Sequence, residues 1–193
     1  MSAEPRQNES TLVCAAQNGD KKALQLLFER NWGWVKALVW GLVGDRHDVD
    51  DVLQETCVRV ISKIDTLREP ERFRAWLAVI ARRQVLQYSR KRCRRPQPGD
   101  LELAVGQHDE QVDEPLTCME RDELCQQVHD AVRCLPEKYR EVFVLAHSGD
   151  LKYGQIAEIL DIPVTTMQIR LVRARRMIYE TVTNRDKEKA HKR

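Results

Sequence analysis

The chain has 193 residues, of which 42% are hydrophobic, and its formal net charge is only +2. This length fits one large or two small domains, and two compact units with real cores are predicted. The N-terminus lacks the pattern of a secretion signal and no apolar run is long enough to cross a bilayer, so a cytoplasmic protein is expected. Apolar residues recur at helical spacing without sustained period-two alternation, which predicts an all-α fold.

The small net charge hides a strong segregation of charge along the sequence. Residues 72–95 include nine Arg or Lys residues and no acid, whereas residues 97–123 include nine acids and a single base. A basic block suits nucleic-acid phosphates, and an acidic block repels them. Residues 96–116 also contain several Pro and Gly residues and little periodicity. They are therefore predicted to form a flexible acidic linker between domains at 1–95 and 117–193.

Six cysteines are scattered without any C-x-x-C pair, which favours reduced, structural thiols over a disulfide scaffold. A zinc site is the alternative, because Cys125 and His129 are one helical turn apart, with Cys118 and Cys134 nearby. That spacing matches no common zinc module, so neither a metal nor another cofactor is expected.

Four helices are predicted in the N-terminal half. The first includes residues 11–17, the second is capped by Asp20, the third opens at Asp45 or Asp48, and the fourth opens at Pro70. Three tryptophans share the apolar pattern of the second helix and are expected to be core or partly buried: Trp32, Trp34 and Trp40. Two glycines are expected to end this helix: Gly41 and Gly44.

The third helix combines an apolar stripe with an acidic outer face. The residues expected to face inward are Val49, Val52, Leu53, Thr56, Val60 and Ile64. Asp50, Asp51, Gln54 and Glu55 gather near its N-terminal turns, where the helix dipole favours negative side chains. A docking face for a basic partner is the second interpretation, and this helix alone does not separate the two.

Aromatic and basic side chains are interleaved in the fourth helix. Arginines can neutralise phosphates while an aromatic ring stacks on an unpaired base, as in single-strand binding. The alternative is a solvated amphipathic helix, and in either case Trp76 is expected in the core. The candidate phosphate-binding residues are Arg72, Arg74, Arg82, Arg83, Arg90, Lys91 and Arg92.

A helix-turn-helix is predicted from residue 153 onward, and two preceding helices complete a four-helix C-terminal unit. Its first helix has Ile156, Ile159 and Leu160 at helical spacing, with the small Ala157 allowing a second helix to cross closely. Asp161 falls at the sharp turn, where it can enter the left-handed region at modest cost. In its second helix, which Pro163 can open, the residues expected to face inward are Met167, Leu171 and Ala174. The residues left to meet a DNA groove are Thr165, Thr166, Gln168, Ile169, Arg170 and Arg173; a plain helical hairpin with a solvated basic face is the alternative.

Three stretches resemble the extracytoplasmic-function (ECF) group of RNA polymerase sigma factors. Residues 48–56, DVDDVLQET, resemble the polymerase-binding helix of the family's first domain, and residues 73–82, FRAWLAVIAR, resemble its promoter-opening segment. Residues 135–143, LPEKYREVF, followed by the helix-turn-helix, resemble its second domain. The resemblance runs almost from end to end, with the motifs in the family's order.

This resemblance implies an alternative sigma factor, a bacterial protein without catalytic residues that brings core RNA polymerase to promoters. Segment 67–95 would capture the minus-ten element as it melts, and the second domain would read the minus-thirty-five element as duplex. The family also implies an inhibitory anti-sigma factor as a further partner. The residues implied to bind the polymerase are Asp48, Asp51, Gln54 and Glu55.

The sequence departs from the family's common pattern at sites that bear on recognition. Arg83 stands where Asn is common, Thr165 where Gly is common, and Gln168-Ile169 where Lys-Ser is frequent. The promoter sequence read by the family therefore does not carry over to this chain.

Two other functions compete with this interpretation. One is a stand-alone helix-turn-helix regulator that binds an operator without polymerase. The other is a metal-dependent nuclease, although the acids of residues 48–55 lack a convergent partner cluster. Within the sigma-factor interpretation, acids of the linker are candidates for masking the basic block until polymerase separates the domains: Asp109, Glu110, Asp113 and Glu114.

Overall fold

The computed structural model describes residues 7–43, 46–94 and 125–191, and every regular element within these ranges is helical. The predicted all-α class is therefore confirmed. The N-terminal domain contains α1 (Gln7–Gln17), α2 (Lys21–Val43), α3 (Arg46–Lys63) and α4 (Phe73–Arg94), with short 3₁₀ helices at Ile64–Thr66 and Pro70–Arg72. The C-terminal domain contains α5, described over 125–133, α6 (Glu137–Ser148), α7 (Tyr153–Leu160) and α8 (Val164–His191). The expected linker lies outside the described ranges, and so do Gly44 and Asp45. None of the described helices is long and apolar enough to cross a membrane.

The start of α2 follows the predicted cap, but its end does not follow the predicted glycine. Asp20 Oδ1 accepts hydrogen bonds from the N–H groups of Lys22 at 2.8 Å and Ala23 at 3.2 Å, as an N-cap does. The helix continues through Gly41 to Val43, so the prediction that Gly41 ends it is wrong. Gly41 instead permits a close approach, since a Cβ there would lie 2.9 Å from both γ-carbons of Val144.

Pro70 opens a 3₁₀ turn rather than α4 itself, which begins at Phe73. Phe73 is almost completely buried, and it anchors the first turn of α4 in the core. The turn matters for function because it sets Arg72 just before α4, at the edge of the N-terminal domain.

The core of the N-terminal domain contains the whole predicted stripe of α3, which is buried. A polar network ties α1 and α2 together at the edge of this core. Asn31 Nδ2 donates to the Leu27 carbonyl at 2.9 Å and to Glu9 Oε1 at 3.0 Å, while Trp34 Nε1 donates to Asn31 Oδ1 at 2.7 Å. Trp34 is partly buried, one of the two outcomes expected for the tryptophans, whereas Trp32 and Trp40 are 41% and 39% exposed, so the expectation is wrong for these two.

The C-terminal domain has the predicted helix-turn-helix, formed by α7 and α8. All four apolar residues expected to face inward on α7 and all three on α8 are buried. Asp161 adopts φ 54° and ψ 50°, the left-handed conformation predicted for the turn. The Ile162 N–H then donates to the Ala157 carbonyl at 3.0 Å, which closes the end of α7.

The two domains pack against each other, α2 on α6 and α4 on α7. Apolar contacts at this interface include Gly41 with Val144, described above, and the rings of Trp40 and His129, whose centroids are 4.0 Å apart. The buried residues of both domains form one continuous cluster. The arrangement of α4 relative to α7 brings basic side chains of one domain beside acids of the other.

Candidate polymerase and DNA interfaces

The outer face of α3 is exposed and more apolar than its acids alone indicate. Asp51, Gln54 and Glu55 all face solvent, and at the same helical spacing Val58 and Ile61 are 60% and 54% exposed. Exposed apolar residues aligned with charged ones are typical of a surface that a partner covers. Sequence reasoning missed Val58 and Ile61, although their spacing from Asp51 and Gln54 was the available signal.

Asp48 has a different environment from these three residues. Its Oδ1 accepts a hydrogen bond from the Tyr88 hydroxyl at 2.5 Å, and its carboxylate also pairs with Arg92. Only 13% of its side chain is exposed. The structure therefore places Asp48 in a contact that fastens the start of α3 to α4, apart from the exposed face.

The hydrogen bond between Tyr88 and Asp48 makes the free energy of unfolding depend on pH in the alkaline range. It raises the pKa of Tyr88 to about 12, with burial and the charges of Asp48 and Asp51 adding to it. The folded state thus favours the neutral phenol, whose contribution is complete below the unfolded pKa of about 10 and is lost as pH rises from there to 12. Tyr88→Phe is expected to reduce the fall in unfolding free energy over this window, measured by urea denaturation. Tyr179→Phe, at an exposed site, is the control, and identical slopes in both variants would contradict the assignment.

The candidate phosphate-binding residues divide into two groups. Three of them, Arg83, Arg90 and Lys91, are exposed on α4. The others form ion pairs, and Arg92 pairs with Asp48 within the domain. Three pair with acids of the C-terminal domain: Arg72 with Glu158, Arg74 with Asp150, and Arg82 with Glu141. Two of these three also have acidic partners in the N-terminal domain, Arg72 with Glu69 at 4.0 Å and Arg74 with Glu9 at 3.6 Å.

The pair of Arg82 and Glu141 is the best formed of these contacts. Arg82 Nε donates to Glu141 Oε1 at 2.8 Å, and Nη2 donates to Oε2 at 3.3 Å. The two side chains are only 23% and 13% exposed. Two-point pairing of a guanidinium with a carboxylate is stronger and more directional than a single exposed ion pair, which contributes about 0–1 kcal/mol.

A cleft of about 330 Å³ lies between the loop before α4 and the C-terminal domain. Arg72 and Trp76 line it on one side, and Gln155, Glu158 and Ile159 of α7 line it on the other. Trp76 is half-buried in this cleft, so the expectation that it lies in the core is wrong. The helical pattern placed it correctly on the inner side of α4 but did not show that this side ends at a domain boundary.

The second helix of the helix-turn-helix presents most of its predicted residues to solvent. Thr165, Gln168, Ile169 and Arg173 are exposed, whereas Thr166 and Arg170 are half-buried. Arg173 also hydrogen-bonds to the hydroxyl of Tyr139 on α6, which, with the nearby positive charges, holds the pKa of that phenol below its ordinary value. Tyr139 was not singled out by sequence, and it orients an arginine on the exposed face of α8.

The residues considered for zinc do not come together in the described part of the chain. His129 stacks on Trp40, and within the described part of the chain neither of its ring nitrogens has a hydrogen-bond partner. Burial, followed by the charge of Arg133, lowers the pKa of His129. No group of three or more metal ligands is present among the described residues, and Cys118 lies outside them.

These surfaces define a DNA-binding protein of transcription. A helix-turn-helix offers an exposed polar and basic helix of the size that enters a major groove. A separate domain offers an arginine-rich helix and an exposed face of acidic and apolar residues.

Comparisons with known proteins identify the family. Residues 27–95 match Sigma-70 region 2, and residues 125–178 match Sigma-70, region 4. The ECF RNA polymerase sigma-E factor of Haemophilus influenzae is 36% identical over 176 residues, covering 88% of this chain and 93% of that protein. The sigma-E factor of Escherichia coli K12 is 33% identical over the same share of this chain and 92% of its own length.

Solved structures agree with these matches. CnrH, in complex with the cytosolic domain of CnrY, superposes with a TM-score of 0.67 at 26% identity, covering 92% of this chain and 98% of that one. The sigma factor RpoE of Bartonella quintana, in complex with the anti-sigma factor NepR, has the same fold, with a TM-score of 0.68 at 23% identity over 84% and 96% of the two chains. The chain belongs to the ECF sigma factors of the sigma-70 family. It is an alternative sigma factor, and the competing interpretation as a stand-alone regulator has no support from these relatives.

Proposed function

We propose that this sigma factor binds core polymerase and the two promoter elements through three different surfaces. The face of α3 formed by Asp51, Gln54, Glu55, Val58 and Ile61 docks on core RNA polymerase. The basic block of residues 72–95 binds the minus-ten element as it melts. The exposed face of α8 reads the minus-thirty-five element as duplex.

The observation that best supports this division is the difference in charge between the acidic face of α3 and the two basic surfaces. Asp51 and Glu55 would repel DNA phosphates, whereas the α4 and α8 surfaces attract them. Arginine and aromatic side chains such as those around Trp76 can bind unpaired bases, and a helix such as α8 can contact the base edges in a major groove.

Reconstitution tests this function directly. Core polymerase supplied with the protein is expected to start RNA at specific sites, which transcript-end mapping would define. Binding to DNA without any effect on polymerase would instead support a stand-alone regulator, and metal-dependent loss of the DNA would support a nuclease.

Several coarser features belong to the same proposal. The domains extend over residues 1–95 and 117–193, joined by the acidic segment 96–116. The protein acts in the cytoplasm, where polymerase and promoter DNA are, and contributes no catalytic group. The complexes of CnrH with CnrY and of RpoE with NepR support an anti-sigma factor as a further partner of this chain.

The exposed arginines of α4 provide a test of the minus-ten assignment. Replacing Arg83 and Arg90 together with Ala is expected to reduce open-complex formation several-fold on duplex promoter and to lower the salt slope of single-strand binding by about 1.4, or 0.7 for each phosphate contact. Arg30→Ala with Lys36→Ala removes the same charge from exposed sites on α2 and is the control. A smaller defect on a promoter already unpaired at this element would indicate help in melting, whereas an equal defect would indicate anchoring. Unchanged open complexes on both templates would reject the assignment.

A further inference from the structure

We propose that Gln17, the last residue of α1, is a positioning residue for promoter binding, because it holds the turn between α3 and α4 in the form that meets the minus-ten strand. Its side-chain amide crosses from α1 to this turn. Nε2 donates to the Ile64 carbonyl at 2.9 Å and to the Leu67 carbonyl at 2.7 Å. The proposal rests on the proposed role of the adjoining basic block in binding that strand.

The two hydrogen bonds lie on the buried side of the turn. The Leu67 N–H donates to the Ile64 carbonyl at 3.1 Å, so the Gln17 amide binds the carbonyls at both ends of one hydrogen-bonded turn. Ile64 and Leu67 are buried, whereas Thr66 and Arg68 are exposed. Gln17 therefore supports the turn from within and leaves its outer side open to a ligand.

The outer side of the turn is continuous with the surface proposed to bind the strand. Thr66 and Arg68 line the same cleft as Arg72 and Trp76. An aromatic ring can stack on an unpaired base, while arginines and a hydroxyl can bind phosphates or base edges. A shift of the turn would change the spacing of these groups, and with it the choice of strand.

α1 is itself held at both ends, so its last residue can act as a support. Gly19 follows the helix with φ +88°, and its N–H donates to the Ala16 carbonyl at 3.0 Å, as at a glycine-capped helix end. Near the start of α1, Glu9 Oε1 accepts a hydrogen bond from Asn31 at 3.0 Å and lies 3.6 Å from Arg74 Nε. α1 also packs against both 3₁₀ helices.

The benefit of this support is preorganisation of the turn. A turn that already has its bound form loses less conformational freedom when the strand binds. If the turn were in this form only a tenth to a third of the time, apparent affinity would fall about three- to tenfold. Gln17 lies outside residues 27–95, which match region 2, so this support comes from a segment that precedes the matched one.

A side chain of similar length without a donor tests the proposal. Gln17→Met keeps the bulk at this position and removes both hydrogen bonds to the turn. Asn18→Leu is the matched control, because Asn18 Nδ2 donates to the Cys14 carbonyl at 2.9 Å, within α1. In hydrogen exchange of the full-length protein, residues 64–69 are expected to exchange about three- to tenfold faster in the Gln17 variant. The Asn18 variant is expected to exchange them at the parental rate.

The same variants are compared in strand binding after reconstitution with core polymerase. The probes are a single strand with the minus-ten sequence defined by transcript mapping and a strand of the same composition in scrambled order. Gln17→Met is expected to lower the ratio of the two affinities about three- to tenfold, with unchanged affinity for core polymerase. Gln17→Glu, which turns acceptor oxygens towards two carbonyls, is expected to lower it further. A mere loss of folded protein would lower both affinities alike and leave the ratio unchanged.

The ratio and the exchange rates together separate the two proposals. A parental ratio in Gln17→Met would overturn the positioning role, as would unchanged exchange of residues 64–69 or an equal fall of the ratio in Asn18→Leu. A parent that binds matched and scrambled strands alike, with the affinity of the Arg83→Ala, Arg90→Ala variant, would reject the DNA role of the basic block and the positioning role with it.

Discussion

Charge reversal at Glu55 is expected to weaken binding of the sigma factor to core polymerase roughly thirtyfold, or by about 2 kcal/mol, without unfolding it. The reason is that Glu55 lies on the exposed face of α3, in line with Asp51 and opposite the buried stripe. Ile61→Asp is expected to have a similar effect, because it places a charge in the apolar part of the same face. Binding is measured by fluorescence anisotropy of labelled sigma factor with core polymerase.

Glu29→Lys makes the same charge change on the exposed side of α2, where Gln25 Nε2, one helical turn away, donates to Glu29 Oε1 at 2.8 Å. It is expected to bind core polymerase like the parent. Circular dichroism and thermal unfolding establish that each variant is folded. A folded Glu55→Lys protein with parental affinity would remove α3 from the polymerase interface.

Substitutions on α8 are expected to separate base reading from phosphate contact. Gln168→Ala is expected to relax preference at one base pair of the upstream element, at a cost of about 1–3 kcal/mol. Arg173→Ala is expected to weaken binding to all duplexes and to lower the salt slope by about 0.9. Both are measured by titration of duplex variants at several salt concentrations.

Two further variants serve as comparisons for Arg173→Ala. Tyr139→Phe removes the hydroxyl that bonds Arg173, and it is expected to reproduce part of the Arg173→Ala defect. Arg176→Ala removes an arginine that pairs with Glu180 one turn along the helix, at 2.7 Å, and it is expected to have the smaller effect. Parental affinity and selectivity in both Gln168→Ala and Arg173→Ala would show that α8 has been assigned to DNA wrongly.

The features predicted correctly from sequence depend on short-range signals. The buried stripe of α3, the cap at Asp20 and the left-handed turn at Asp161 each follow from residues within a few positions of one another. Their side chains determine local conformation almost independently of the rest of the chain. The helix-turn-helix could be recognised for the same reason.

The features that were missed depend on contacts between distant parts of the chain. Arg82 and Glu141 are 59 positions apart, and Arg72 and Glu158 are 86 apart. No periodicity in the sequence relates positions so far apart. These arginines were therefore predicted to be free to bind phosphate, whereas in the fold each one pairs with a carboxylate. The role of Gly41 was predicted wrongly for the same reason. The sequence does not distinguish a glycine that ends a helix from one that allows a close approach of Val144.

The pairing of Arg72, Arg74 and Arg82 also bears on how a free sigma factor finds its polymerase. A genome offers about 10⁶–10⁹ non-specific binding sites, and affinity for them comes from phosphate contacts. On the proposed DNA role of these arginines, pairing of their guanidinium groups with the protein's own acids is expected to shorten each encounter with random duplex. A larger share of the molecules would then stay in solution, where core polymerase can capture them before they reach a promoter.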